Sequence, residues 1–319
     1  MTPAHGGREG PEEPVRDFSV PALAPSGTVG AMGIRTQSPA RLWVIRARES
    51  PTAVIFRRGP TRQVQLIRWN TETDEFEAGQ WFKGRIYERR CDLSPDGTLL
   101  IYFAAKHRPP LGSWTAISKP PYFTALALWP KGDCWNGGGW FVDDRKIRLN
   151  HPAFQAQLHP DFKPGPVQVV GFAQYGGEDA SVTAVTEPRD GWERQADGAS
   201  QSRGGVRGWT IDPPECWTKP RPGKPGFVLE RALRGIGGSN VPWYQVAYRV
   251  RSAAGECIID LGLLDWADWD TRGRLVFARE GCLFRQRVEK ARIDEARQLA
   301  DFNDAKFTNV PPPAWACRW

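Results

Sequence analysis

The sequence predicts an all-β fold assembled from repeated antiparallel sheets, and three observations carry that expectation. Turn-forming residues are abundant: 33 glycines and 28 prolines among 319 residues suit many short strands joined by tight turns. Short apolar runs recur in neighbouring pairs, as hairpins require. One turn-and-strand pattern, CDLSPDGTLLIYFAA at 91–105, returns in looser form as ADWDTRGRLVFAREG at 267–281.

Setting Asp92 against Asp268 brings Gly97 onto Gly273 and Leu99 onto Leu275. The offset of 176 positions is four periods of 44, inside the range of about 40–50 residues common for radial sheet repeats. In the first copy Pro95, Asp96 and Gly97 reverse the chain. Leu99, Ile101 and Phe103 then enter one face of a strand, and their neighbours enter the other. Asp92 and Asp268 are expected to satisfy backbone donors around their turns. Further hairpins are read in VIFRRG with VQLIRW, LVFARE with CLFRQRV, FVLERAL with YQVAYRV, and TLLIYFAA with YFTALALW. Only RVEKARIDEARQLA, 287–300, has helix-like composition, and it reads equally as a turn before a closing strand.

With LSPDGTLLIYF and DWDTRGRLVFA as the carrying residues, the chain resembles the broad superfamily of WD40-like and TolB-like β-propellers over residues 40 to 303. It lacks the regular Gly-His and Trp-Asp pairs of typical WD40 repeats. The resemblance implies a β-propeller of about five four-stranded antiparallel blades, with six as the alternative. That domain would occupy 39–319, with an insertion or degenerate blade around 186–224. A closing sheet would draw strands from both chain ends. Residues 1–38 read as a disordered extension rich in Gly, Pro and charge, with Met32 as an alternative start.

Composition argues against several classes of function. With 40% hydrophobic residues and no apolar run near the ~18 residues of a membrane helix, no membrane association is expected. The first 31 residues lack the apolar core of a secretory leader. The +7 net charge comes mostly from scattered arginines, without the like-charge blocks of a nucleic-acid arm. Six cysteines form no C-x-x-C pair, and four histidines offer no zinc-ligand spacing. Neither metal nor cofactor is expected. The cysteines read as free thiols of a reducing cytoplasm, and the chain as a monomer.

Binding groups concentrate on long loops over a rigid scaffold. Two such stretches stand out, KHRPPLGSWTAISKPP at 106–121 and RGIGGSNVPW at 234–243. They nominate Lys106, His107, Arg108, Trp114, Lys119, Arg234 and Trp243, cations beside indoles that suit a peptide, a sugar or an anionic ligand. No catalytic residue is nominated. The Gly-rich DCWNGGGWF lacks a Walker lysine, and no G-x-S-x-G turn accompanies the histidines. The expected function is a non-catalytic protein- or peptide-binding scaffold using one loop-rich face. The alternative is a hydrolase acting on a glycan or other polar substrate in a central funnel through paired carboxylates, drawn from Asp143, Asp144, Glu178, Asp179, Asp265, Asp268 and Asp270.

Overall fold

The SPDG turn at 94–97 sits where the sequence places it. Its Ser94 N–H donates to Leu99 and its Gly97 N–H to Ser94 at 2.9 Å, with Gly97 at φ +76°. The second copy repeats this, Asp270 N–H donating to Arg274 and Gly273 N–H to Asp270, with Gly273 at φ +68°. Each turn joins a short strand to a longer one. The computed structural model describes residues 38–319 except 60–61, 164, 173–179, 203–207, 225, 239–241 and 290–291. The expected extension and Met32 lie outside the described residues, Ser38 apart.

The architecture is all-β, in five successive sheets of mostly antiparallel strands. Sheet I holds β1 (Arg41–Arg46), β2 (Thr52–Arg58), β3 (Gln63–Asn70) and β4 (Glu75–Lys83). Sheet II holds β5 (Arg85–Ile86), β6 (Asp92–Leu93), β7 (Leu100–Ala105), β8 (Ser113–Ser118) and β9 (Ala127–Pro130). Sheet III holds β10 (Gly139–Phe141), β11 (Lys146–Leu149) and β12 (Gln168–Phe172), the last pair parallel. Helix α1 (Ala180–Arg189) precedes sheet IV, which comprises β13 (Glu193–Ala196), β14 (Ser200–Ser202), β15 (Gly208–Pro220), β16 (Phe227–Gly237), β17 (Tyr244–Ser252) and β18 (Cys257–Leu263). The 186–224 segment therefore contains the end of α1, two short strands and the 13-residue β15.

Sheet V begins with β19 (Trp266–Trp269), β20 (Leu275–Arg279) and β21 (Cys282–Gln286). A two-stranded ribbon follows, β22 (Val288–Glu289) with β23 (Arg292–Ile293), and then β24 (Arg297–Asp301) closes sheet V against β21. The helix-like run at 287–300 is thus ribbon and edge strand. No helix among the described residues is long and apolar enough to cross a membrane.

The repeated strands are apolar throughout β7 and over Leu275–Ala278 of β20 because both of their faces are covered, as in strands buried between two layers. Along β7, Leu100, Tyr102 and Ala104 pack with Val54, Phe56 and Leu66 of sheet I. Ile101, with Leu99 just before the strand, packs with Phe141, Ile147 and Leu149 of sheet III. Along β20, Val276 and Ala278 join Val44, Ile55 and Trp69 of sheet I, while Leu275 and Phe277 join Leu229, Val246 and Val250 of sheet IV. Four buried apolar clusters therefore link the sheets in the order III–II–I–V–IV. None of the four joins III to IV. The sharing of strands between chain ends is replaced by side chains: Ala40 N–H donates to Asn303 Oδ1 at 2.9 Å, and the buried Arg57 donates to the carbonyls of Phe302 and Asn303.

The hairpin turns themselves are tied in succession. Glu49 N–H donates to Pro95 O at 2.9 Å, and Asp96 N–H donates to Asp144 Oδ1 at 2.9 Å. A Cβ on Gly97 would lie 2.6 Å from Thr52 Cβ, a side chain of limited freedom. One on Gly273 would meet the flexible Arg221 Nε at 2.9 Å. Both substitutions carry the left-handed penalty of about 1–2 kcal/mol; the first adds a clash at 2.6 Å with a stiff side chain, the second a milder approach of 3.1 Å to the Pro222 carbonyl oxygen. Gly97→Ala is expected to lower stability by about 3 kcal/mol and Gly273→Ala by about half that. Urea unfolding midpoints of the two variants check the order.

Candidate functional site

The first nominated loop is shorter than the sequence suggests. It is split into 106–112 and 119–121, because SWTAIS at 113–118 is strand β8, lying between β7 and β9. Its small polar residues Ser113, Thr115 and Ser118 are fully buried, and this breaks the polar–apolar alternation by which a strand is read. Trp114 and Lys119 therefore stand near opposite ends of one strand.

Three of the seven nominated residues meet. Lys106, Arg108 and Trp114 line a cavity of about 320 Å³ together with Phe82, Tyr102 and Phe123. Its wall is an aromatic set: Phe82 packs edge-on against Trp114 with ring centres 5.7 Å apart, and Phe123 sits 6.0 Å from Phe82 and 5.3 Å from Tyr102. Lys106 and Arg108 are exposed beside it, and no acidic residue lines it. Burial and the Phe123 carbonyl position fix Tyr102, whose hydroxyl donates to that carbonyl at 2.6 Å.

The other four go elsewhere. His107 Nδ1 lies 3.7 Å from Cys134 Sγ. Lys119 donates to the carbonyls of Trp315 and Arg318 near the chain end. Arg234 is an exposed residue at a bulge of β16. Trp243, 48% exposed, borders a small cavity of about 70 Å³ with Arg41, Trp43, Glu88, Arg89 and Asp265. The sequence reading missed the aromatic wall and Arg89. GQWFKGRIYERR at 79–90, where aromatic and cationic residues interleave, was the available signal.

A third and larger cavity, about 610 Å³, lies where β1, β19, the end of β15 and α1 come together. Arg89 separates it from the small one, its guanidinium 4.6 Å from the Trp43 ring and 4.2 Å from Tyr244; Trp43, Glu88 and Arg89 line both. Asp268 ends the inner part of β19 and is shared by Arg46 at 3.1 Å and Lys219 at 2.8 Å. Burial opposes its charge, yet Lys219 and Arg46 hold the carboxyl below its ordinary range.

Helix α1 supplies the opposite wall. Gly191, at φ +89°, ends the helix with Trp192 N–H donating to Glu187 O and its own N–H to Pro188 O, the closure favoured by glycine at that position. The last turn thereby delivers Glu187, Arg189 and Asp190 to the cavity. Arg189 grips Asp92 through two hydrogen bonds of 2.7 and 2.9 Å and also donates to Asp190. Asp92 accepts the Phe141 N–H at 2.8 Å as well. Arg231 holds Glu187 with a second fork of 2.9 and 2.7 Å. Asp92 and Asp268, read from sequence as turn residues, each accept a backbone N–H, and both also anchor ion pairs. Asp270 instead serves its own turn, accepting from Arg272 and Arg274. Among the described residues no group of three or more His, Cys, Asp or Glu side chains is placed to hold a metal ion.

No known protein family matches the chain, and no curated protein does. Among solved structures it is similar to uncharacterized protein lmo1340 from Listeria monocytogenes EGD-e, at a TM-score of 0.28 and 10% identity over 82% of this chain. The match spans 65% of that protein's length.

Two buried groups give opposite pH responses. Burial pushes the Asp265 carboxyl up to about 6, so stability rises as pH falls from about 6 to the unfolded value of 3.8. Burial lowers His151, bonded to Thr115 and Gln155, to about 4. An unfolded histidine takes its proton near 6.5, so this group loses stability as pH falls from there to about 4. Each contributes on the order of 2–3 kcal/mol. Relative to the wild type, Asp265→Asn should lose stability more steeply on acidification and His151→Gln less steeply. Urea unfolding at several pH values between about 7 and 4 measures both slopes.

Proposed function

We propose that this protein is a β-propeller-like scaffold that binds a peptide segment of another protein and performs no chemistry on it. The carrying observation is the convergence of Lys106, Arg108 and Trp114 on the aromatic-walled cavity between β4 and sheet II. At about 320 Å³ it is at the small end of ligand sites, suited to one or two side chains. An aromatic anchor enters the cavity against the wall formed by Phe82 and Trp114, and carboxylates flanking it in the partner meet the exposed Lys106 and Arg108. The partner segment is therefore acidic, with an aromatic or leucine at its centre.

Five successive sheets, with the first packed on the last through a buried apolar cluster, support the propeller reading. Other features weigh against the hydrolase reading. In the large cavity Asp92, Glu187, Asp190 and Asp268 are all paired with cations. Carboxylates so held serve poorly as acid and base. Asp265, pushed to about 6, borders a cavity of only about 70 Å³, too small for a sugar ring with its neighbours.

Lys106→Glu/Arg108→Glu changes only exposed positions, so folding should persist with little loss of stability. The double variant is expected to weaken binding of an acidic, tryptophan-centred peptide at least about 10-fold. Titration by fluorescence anisotropy, with a charge-reversed peptide as control, tests it. Equal binding by variant and wild type would overturn the assignment.

A further inference from the structure

We infer that the large cavity between β1, β15, β19 and α1 is a binding site for a small anionic polyol, a phosphorylated or carboxylated sugar. This site is separate from the peptide cavity, and its failure would leave that reading intact. Its volume of about 610 Å³ falls within the span of roughly 300–1,000 Å³ usual for small-molecule sites.

The lining is polarised. On the side of β1, β15 and β19, Arg46 and Lys219 share the single carboxylate of Asp268. Arg48, two residues beyond Arg46 and lining the same cavity, has a buried Nη1 with no acceptor and no ion pair among the described residues. This wall carries three cations and two carboxylates, of which Asp270 is taken up by Arg274 and its own turn, so Arg48 is the cation left over. A buried guanidinium N–H left without an acceptor is costly, and an anionic oxygen of a ligand relieves it. Arginine and lysine both suit phosphate and carboxylate, the former through its fork of donors.

The α1 side has the opposite character. Asp92 and Asp190 crowd around the one guanidinium of Arg189. Each carboxylate has more acceptor sites than its protein donors occupy, so hydroxyl groups of a ligand find acceptors there. Thr183 and Thr186 on the same helix also line the cavity. A molecule with a charged oxygen group at one end and hydroxyls at the other fits both walls.

The test is isothermal titration of the full chain with glucose 6-phosphate, glucuronate and glucose at constant ionic strength. At least one of the two anions should bind, and glucose should bind far more weakly. The stronger anion tells phosphate from carboxylate. Arg48→Gln removes a side chain with an unmatched buried N–H, so its unliganded melting temperature should be no lower than that of the wild type. Its Kd for the anion should rise about 10-fold or more, the loss typical of a charge-assisted hydrogen bond. Lys106→Glu/Arg108→Glu should bind the anion as the wild type does. The inference is overturned if neither anion binds, if glucose binds equally, if Arg48→Gln binds unchanged, or if the rim variant abolishes binding.

Discussion

A carboxylate removed from water must be paired, and in this fold that demand falls on Asp268. It is shielded from solvent in β19, yet it faces Arg46 from sheet I and Lys219 from sheet IV. Three sheets, one from the start of the chain and two from its later half, therefore meet at one side chain. Removing either cation leaves the other to carry the whole pair, and removing Asp268 strands two cations at once; breaking a buried pair of this kind costs about 3–5 kcal/mol. Asp92 plays the matching part for sheets II and III, accepting from Arg189 and from the Phe141 backbone. Apolar packing supplies the cohesion between the sheets, and these two aspartates fix where β6 and β19 stand.

How much of this was legible in the sequence depends on whether the signal is local. The turn at 94–97 and its copy at 270–273 were legible because proline, aspartate and glycine have fixed backbone consequences. The two-sided burial of β7 and β20 followed from runs with no polar position. Strand β8 was hidden, since its buried Ser113, Thr115 and Ser118 look like loop residues until their partners are known. Ser113 and Thr115 hydrogen bond to the Asp133 carbonyl and to His151, residues remote in sequence.

The candidate sites divide in the same way. Lys106, Arg108 and Trp114 were legible as a cluster because seven or eight residues of chain hold them together. The aromatic wall from Phe82 and Phe123 was not, because it needs sheet I to pack on sheet II. The ion pairs of the large cavity join residues up to 222 positions apart, and no spacing rule connects Arg46 with Asp268. Arg189 and Glu187 were read as part of an insertion, yet the last turn of α1 builds a wall of that cavity.

The gap in the apolar packing has its own consequence. The four clusters join I with II, II with III, I with V and IV with V, whereas helix α1 is held, among the described residues, by forked arginine pairs to Asp92 of sheet II and from Arg231 of sheet IV. Ion pairs loosen with salt and acid while oily contacts do not. The sheet-to-sheet contacts thus rest chiefly on buried apolar side chains, whereas α1 is seated on sheets II and IV chiefly by ion pairs. Salt and acid therefore act first on the seat of α1, and so on one wall of the large cavity, while the β-ladders rest on backbone hydrogen bonds.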